Sequence, residues 1–221
     1  PRTSQPPPGD FRRAYELLSS HFEHVVVVSL AGRLSGTLQA AVTAAGRLPA
    51  GRITVLDSLT ASGGQGLIAL YAAEQSRSGA GPDEVVGQVR AIIGRTRTYG
   101  FVPDLHHAVR GGRLPRPWSW LAARLPVSFT VSTDGQGRIR VRALRWRGAD
   151  PVAALLAPAR ADTSADTSTR AGLRLCIAHA ECPDDAERLV AACREAFPAA
   201  TDILVTELGP AIGVHGGPGT L

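Results

Sequence analysis

Most residues of this chain that could do chemistry carry hydroxyls, and they sit in short segments far apart. Thr3 and Ser4 come near the start, Ser35 and Thr37 flank Gly36, Ser58, Thr60 and Ser62 alternate along a second segment, and His215 stands in a glycine-rich tail. Hydroxyl and imidazole N–H groups together suit the holding of an anion. A buried carboxylate must be paired or fully hydrogen-bonded, and its two oxygens accept about four bonds. Ser35, His215 and Asp57 also supply the residue types of a serine hydrolase, as nucleophile, base and orienting acid. Ser35, however, lies in LSGT and not in the GxSxG of a nucleophile elbow. Each residue has a plainer use as well: Ser35 and Thr37 as helix caps, Thr3 and Ser4 as solvated loop residues, His215 as a satisfied histidine in a tight turn.

The flanking elements must position these groups. Val25 to Val28 is a β-branched run that reads as a buried strand, and the Ala-rich Thr37 to Ala45 reads as a helix whose first turn Ser35 can cap. Such a strand–turn–helix aims backbone N–H groups at one spot, where the helix dipole favours an anion. The pattern repeats. Arg52 to Asp57 is a second strand, SLTASGGQG a second turn, and Leu67 to Gln75 a second helix, with Gly63, Gly64 and Gly66 allowing close backbone approach. Two such turns at the carboxyl ends of strands in one open sheet form the usual ligand crevice of α/β proteins. The glycines make no GxGxxG, so a dinucleotide is not expected.

Elsewhere, residues 1–10 are too Pro-rich for a helix, and Asp10 is placed to cap one over Phe11 to Ser20. A helix from Asp83 to about Thr98 and a short strand at Phe101 and Val102 follow. Val127 to Thr133 and Arg138 to Trp146 alternate and are joined by DGQG, a hairpin signal. A helix over Pro151 to Arg160, a polar connector expected to be mobile, a strand over Leu173 to Ala178, a helix over Pro183 to Phe197 and a strand over Ile203 to Thr206 lead to a strand-like AIGV before His215.

Composition narrows the classes. The chain has 221 residues, 44% hydrophobic, with formal net charge +5, and every basic residue is Arg. The arginines are scattered, so a nucleic-acid surface is not expected, and no apolar run is long enough to cross a membrane. Without Lys there is no Walker-type phosphate lysine and no Schiff-base amine. Cys176, Cys182 and Cys193 show no CxxC spacing and fit a reducing cytoplasm, and the adjacent His106 and His107 do not make a metal site. The absence of Met leads us to expect a piece or a processed form of a longer chain.

Four segments read together resemble the DegV family of fatty-acid-binding proteins: TSQPPPGDF (3–11), RLSGTLQAA (33–41), LDSLTASGGQG (56–66) and AIGVHGGPG (211–219), with RGGRL (110–114) as a weaker fifth. The resemblance implies an α/β, two-domain DegV-like fold: a parallel, Rossmann-like first domain over 1–104, lacking the family's first strand segment, and a second α/β domain with an antiparallel hairpin over 105–221. It implies a long-chain fatty acid as ligand and no cofactor or metal. Thr3, Ser35 and His215 are the implied carboxylate contacts, Ser4, Gly36, Thr37, Ser58, Ser62 and Gly216 shape the same cup, and Arg113 lies at its mouth. It also implies a non-catalytic carrier that presents the acid to a separate fatty acid kinase catalytic subunit in the cytoplasm, with at most transient membrane contact. The family's segment bearing TDS ahead of TSQP has no counterpart here, Leu125, Pro126 and Val127 stand where relatives have a Lys-Pro element, and Arg145 matches only loosely. A family member whose site has decayed is the remaining alternative.

Overall fold

The structure, a computed structural model, describes residues 3–104, 107, 109, 125–165 and 172–221. It is a mixed α/β chain with two parallel strand pairs and one antiparallel three-stranded sheet. The chain divides into two compact units, Ser4–Thr98 with Thr133–Ile139, and Pro1–Thr3 with Tyr99–Ser132 and Arg140–Leu221. Contacts thus place the division at Thr98/Tyr99, where the sequence suggested a boundary near Asp104, and two short pieces belong to the unit remote from them in sequence.

In the first unit, α1 (Pro8–Ser19) precedes β1 (Val25–Ser29), α2 (Thr37–Ala45), β2 (Ile53–Asp57), α3 (Ser62–Arg77) and α4 (Pro82–Arg95). β1 and β2 pair in parallel from Val25↔Ile53 to Ser29↔Asp57. Val26, Val28 and Leu56 pack with Ile68, Ala72, Val85, Val86 and Val89, so α3 and α4 supply the core over one face of the pair. α2 buries Ala40, Ala41 and Ala44 and packs against β1 and β2 as well as α1. A strand that meets packing on both faces reads as an unbroken apolar run, as Val25 to Val28 does.

Two helix starts differ from expectation. α1 begins at Pro8, not after Asp10: Pro8 fills the first helical position, where its missing N–H costs nothing, and Asp10 sits inside the first turn, bonded to Arg13. α3 begins at Ser62 and takes the glycines of SGGQG into its first turns. Gly64 has to be there, because a Cβ on it would collide with Thr98 Oγ1 and stand 2.9 Å from Thr60 Oγ1.

The second unit holds β3 (Tyr99–Val102), β4 (Val127–Thr133), β5 (Ile139–Trp146), α5 (Pro151–Ala165), β6 (Leu173–His179), α6 (Pro183–Ala196), β7 (Ala200–Glu207) and α7 (Pro210–Gly216), the tip of the β4–β5 hairpin belonging to the first unit. The antiparallel sheet has the order β3-β4-β5, and β6 pairs with β7 in parallel. Phe101, Val152, Leu155, Ile177, Leu189, Phe197 and Leu221 form the main core. The tail closes this unit: Leu221 exchanges both backbone bonds with Phe101 at 2.8 and 3.1 Å, and Thr220 O accepts from Ala180 N at 2.8 Å. The expected connector after Arg160 is helical as far as Ala165, and its continuation over 166–171 is outside the described residues.

AIGV is helical, not a strand. Gly209 is the cap and Pro210 the first helical position, and Ile212 and Gly213 both donate to Gly209 O, at 3.0 and 2.9 Å. Four apolar residues cannot separate the two periods by themselves, and the Gly-Pro before them decides the outcome.

Candidate functional site

In the first unit the two strand–helix turns lie side by side because Ser29 and Asp57 are register partners at the carboxyl ends of β1 and β2. Ala31 N donates to Thr60 O at 2.7 Å and Ser58 N to Ser29 O at 2.9 Å, lacing the turns together. Ser35 stands one residue before the cap position, Gly36. Its Oγ accepts from Thr37 N at 3.2 Å and lies 2.8 Å from Thr37 Oγ1, so these hydroxyls share one spot at the start of α2, both half-buried. Gly36 is exposed, and a Cβ on it would stand 2.9 Å from the side-chain amide of Gln5. Ser4 is exposed. Ser58 is buried and its hydroxyl bonds within its own turn, donating to Thr60 O and accepting from Thr60 N. Ser62 opens α3 with φ 55°, a left-handed backbone on a residue with a Cβ.

In the second unit Thr3 Oγ1 lies 2.7 Å from His215 Nε2, a pairing across 212 residues of sequence. His215 is in the last turn of α7, which is capped by Gly217 at φ 80°. Gly217 can carry no side chain, since a Cβ there would stand 2.5 Å from Cδ2 and 3.0 Å from Nε2 of His107. Gly216, beside His215, is buried, and a Cβ on it would stand 2.7 Å from Thr220 Oγ1. A second imidazole and a further hydroxyl therefore lie against the two glycines that follow His215. In the sequence His107 stands out only as half of an adjacent histidine pair, and Thr220 carries no mark. The glycine pair beside His215 was the available signal, because adjacent glycines mark a backbone that something approaches closely.

The structure brings Thr3 to His215 in one unit and Ser35 to Thr37 in the other, while Arg113 lies outside the described residues. Among the described residues no group of three or more His, Cys, Asp or Glu side chains is placed to hold a metal. Burial pushes the thiols of Cys176, Cys182 and Cys193 up from their ordinary pKa, which makes them poor nucleophiles. Asp57, the acid of the hydrolase alternative, has both oxygens engaged by backbone amides: Gly32 N at 3.2 and 3.3 Å and Leu59 N at 2.9 Å. Within each pair one group donates to the other, and with Nε2 of His215 donating to Thr3 the Thr3 O–H is left to turn on an anion, as one hydroxyl of the Ser35–Thr37 pair is. No described helix is long and apolar enough to cross a membrane.

Comparison with known proteins identifies the family and the fold. The family model described as "Uncharacterised protein, DegV family" matches residues 1–221. The DegV domain-containing protein SPs1668 of Streptococcus pyogenes is 30% identical over 229 residues, covering 100% of this chain and 76% of the relative. Among solved structures, a DegV family protein from Thermus thermophilus described by its fatty acid binding superposes with a TM-score of 0.86 at 29% identity, covering 100% of this chain and 76% of that one. DegV of Bacillus subtilis, described as a fatty acid binding protein, superposes with a TM-score of 0.81 at 26% identity, with the same coverage of each chain. With a family model spanning every residue and a fold shared along the whole chain, this protein belongs to the DegV family.

Proposed function

We propose that this chain is a carrier that binds a long-chain fatty acid, and the observation that carries the reading is the Thr3–His215 contact at 2.7 Å. A hydroxyl and an imidazole brought together from opposite ends of a sequence make a headgroup clamp of the kind a carboxylate needs. Ser35 and Thr37 are the second pair of donors in this reading, and Gln5 of the TSQ segment already lies against Gly36 between them. Ser4, Gly36, Ser58, Ser62 and Gly216 shape the cup, and Arg113 neutralises the charge at its mouth. The apolar chain runs among core residues and needs no dedicated chemistry.

As a carrier the protein is not itself catalytic and needs no cofactor. It works in the cytoplasm and presents the bound acid to the catalytic subunit of a fatty acid kinase, which forms the acyl phosphate. The absence of Lys, and with it of a phosphate-loop lysine, supports that division. The test is titration with a long-chain fatty acid, with thermal unfolding in parallel. Ser35→Ala and His215→Ala should each lose about 1.5–3 kcal/mol of binding, roughly 10- to 150-fold in affinity. Wild-type affinity in both variants, or a wild-type protein that binds no fatty acid, would overturn the proposal.

A further inference from the structure

We propose that Asp57 is a positioning residue of the headgroup site, an inference that rests on the fatty-acid reading and adds to it a residue that touches no ligand. Its carboxylate stands at the end of β2 and accepts from two turns at once, from Leu59 N in its own turn and from Gly32 N in the turn that carries Ser35. Gly32 is suited to that approach, because a Cβ on it would stand 3.2 Å from Asp57 Oδ2 and 2.6 Å from Leu38 Cδ2. The grip then passes along the backbone to the hydroxyls. Ala31, next to Gly32, accepts through its carbonyl from Leu34 N at 2.9 Å and Ser35 N at 3.3 Å, and Ser35 Oγ in turn holds Thr37 N. On the other side, Leu59 keeps a left-handed φ of 55° while its N–H is fixed to Asp57. A branched residue in that conformation persists only where its surroundings over-determine it, and such strain collects at ligand sites. A charged acceptor bridging two turns is a stronger fastening than a neutral one, so Asn, of the same shape, is not equivalent: one of its two ends is an NH2 facing backbone N–H groups.

The experiment compares two ligands on the intact chain, palmitic acid and its methyl ester. The ester keeps the acyl tail and loses the charge that oriented donors recognise. Asp57→Asn should bind palmitic acid about 10-fold more weakly than wild type and bind the ester equally well, with unfolding still cooperative. Should Asp57→Asn not fold, Asp57→Ser removes the charged bridge between the turns and is read against the same pair of ligands. Equal losses for acid and ester would make Asp57 a residue of general stability, and unchanged acid affinity would leave it without a part in the site. Either result overturns the proposal. A wild-type protein that takes up neither ligand would instead defeat the fatty-acid reading on which the inference stands.

Discussion

Gly137→Ala is the most direct probe of how the turns of the first unit are held. Gly137 belongs to the DGQG tip of the β4–β5 hairpin, which packs with Ser4–Thr98, and it is buried at φ 74°. A Cβ there would stand 2.9 Å from Ala31 Cβ and 3.2 and 3.3 Å from the Cα and carbonyl oxygen of Leu59. The obstacles include backbone, which cannot rotate aside. Left-handed backbone costs an L-residue about 1–2 kcal/mol, and overpacking costs about 1–3 kcal/mol. Against these, Ala restricts the unfolded chain and recovers about 0.4–1 kcal/mol. The conformational and steric penalties win, with a net loss near 3 kcal/mol, or roughly 6–12 °C in Tm for a chain of this size. Gly135, two residues earlier, is the control: its φ is not left-handed and nothing lies within 4 Å of its Cβ position. Gly135→Ala should therefore be neutral or slightly stabilising. The assay is thermal and urea unfolding followed by circular dichroism. Stabilities of the two variants within about 0.5 kcal/mol of each other would refute the packing argument, because an exposed, unobstructed position would then behave like a buried wedge.

Two further expectations concern the second unit. Thr130 is buried on β4 at 1% exposure with a hydroxyl that has no hydrogen-bond partner among the described residues, so Thr130→Val should stabilise the protein by about 1 kcal/mol, and a loss of stability on denaturant unfolding would show that the hydroxyl is used. Asp150 is pushed up by partial desolvation, but the Ala153 amide, Arg188 and the Val152 amide outweigh that and hold its pKa below the ordinary value. With the folded value below the unfolded one, its contribution is present above the unfolded pKa of about 4 and fades as pH falls through the folded value. Asp150→Asn should flatten the stability-versus-pH curve in that acid range, and an unchanged curve would argue against the assignment.

What could be read in the sequence was whatever local chemistry decides. Val25 to Val28 announced a strand through its β-branched run, although the four valines are half-buried and not fully buried, and DGQG announced a hairpin because Gly137 takes the left-handed conformation its turn requires. The start of α3 is not legible because SGGQG looks like a loop by composition; Gly64 serves a close approach of Thr60 and Thr98 that is set by tertiary structure. AIGV was ambiguous for want of length. In the proposed site the hydroxyl-bearing residues and His215 are recognisable by type, whereas the bonds of Asp57 and the approach of His107 and Thr220 to the glycines after His215 are set by the fold. An aspartate beside a hydroxyl-rich turn carries no mark in its sequence that it will bind the amide of Gly32, 25 residues earlier.

The exchange of short pieces between the units has a consequence for the inheritance of this fold. The chain passes from one unit to the other after residues 3, 98, 132 and 139. No single break in the gene separates the units: a cut after Thr98 leaves the first unit without Gly137 against Ala31 and Leu59, and leaves His215 without Thr3. Either half, copied alone into another protein, would arrive without Gly137 against its turn or without the Thr3–His215 contact. A cut at Thr98 therefore breaks contacts in both units at once, and an exchange of one half would have to restore both.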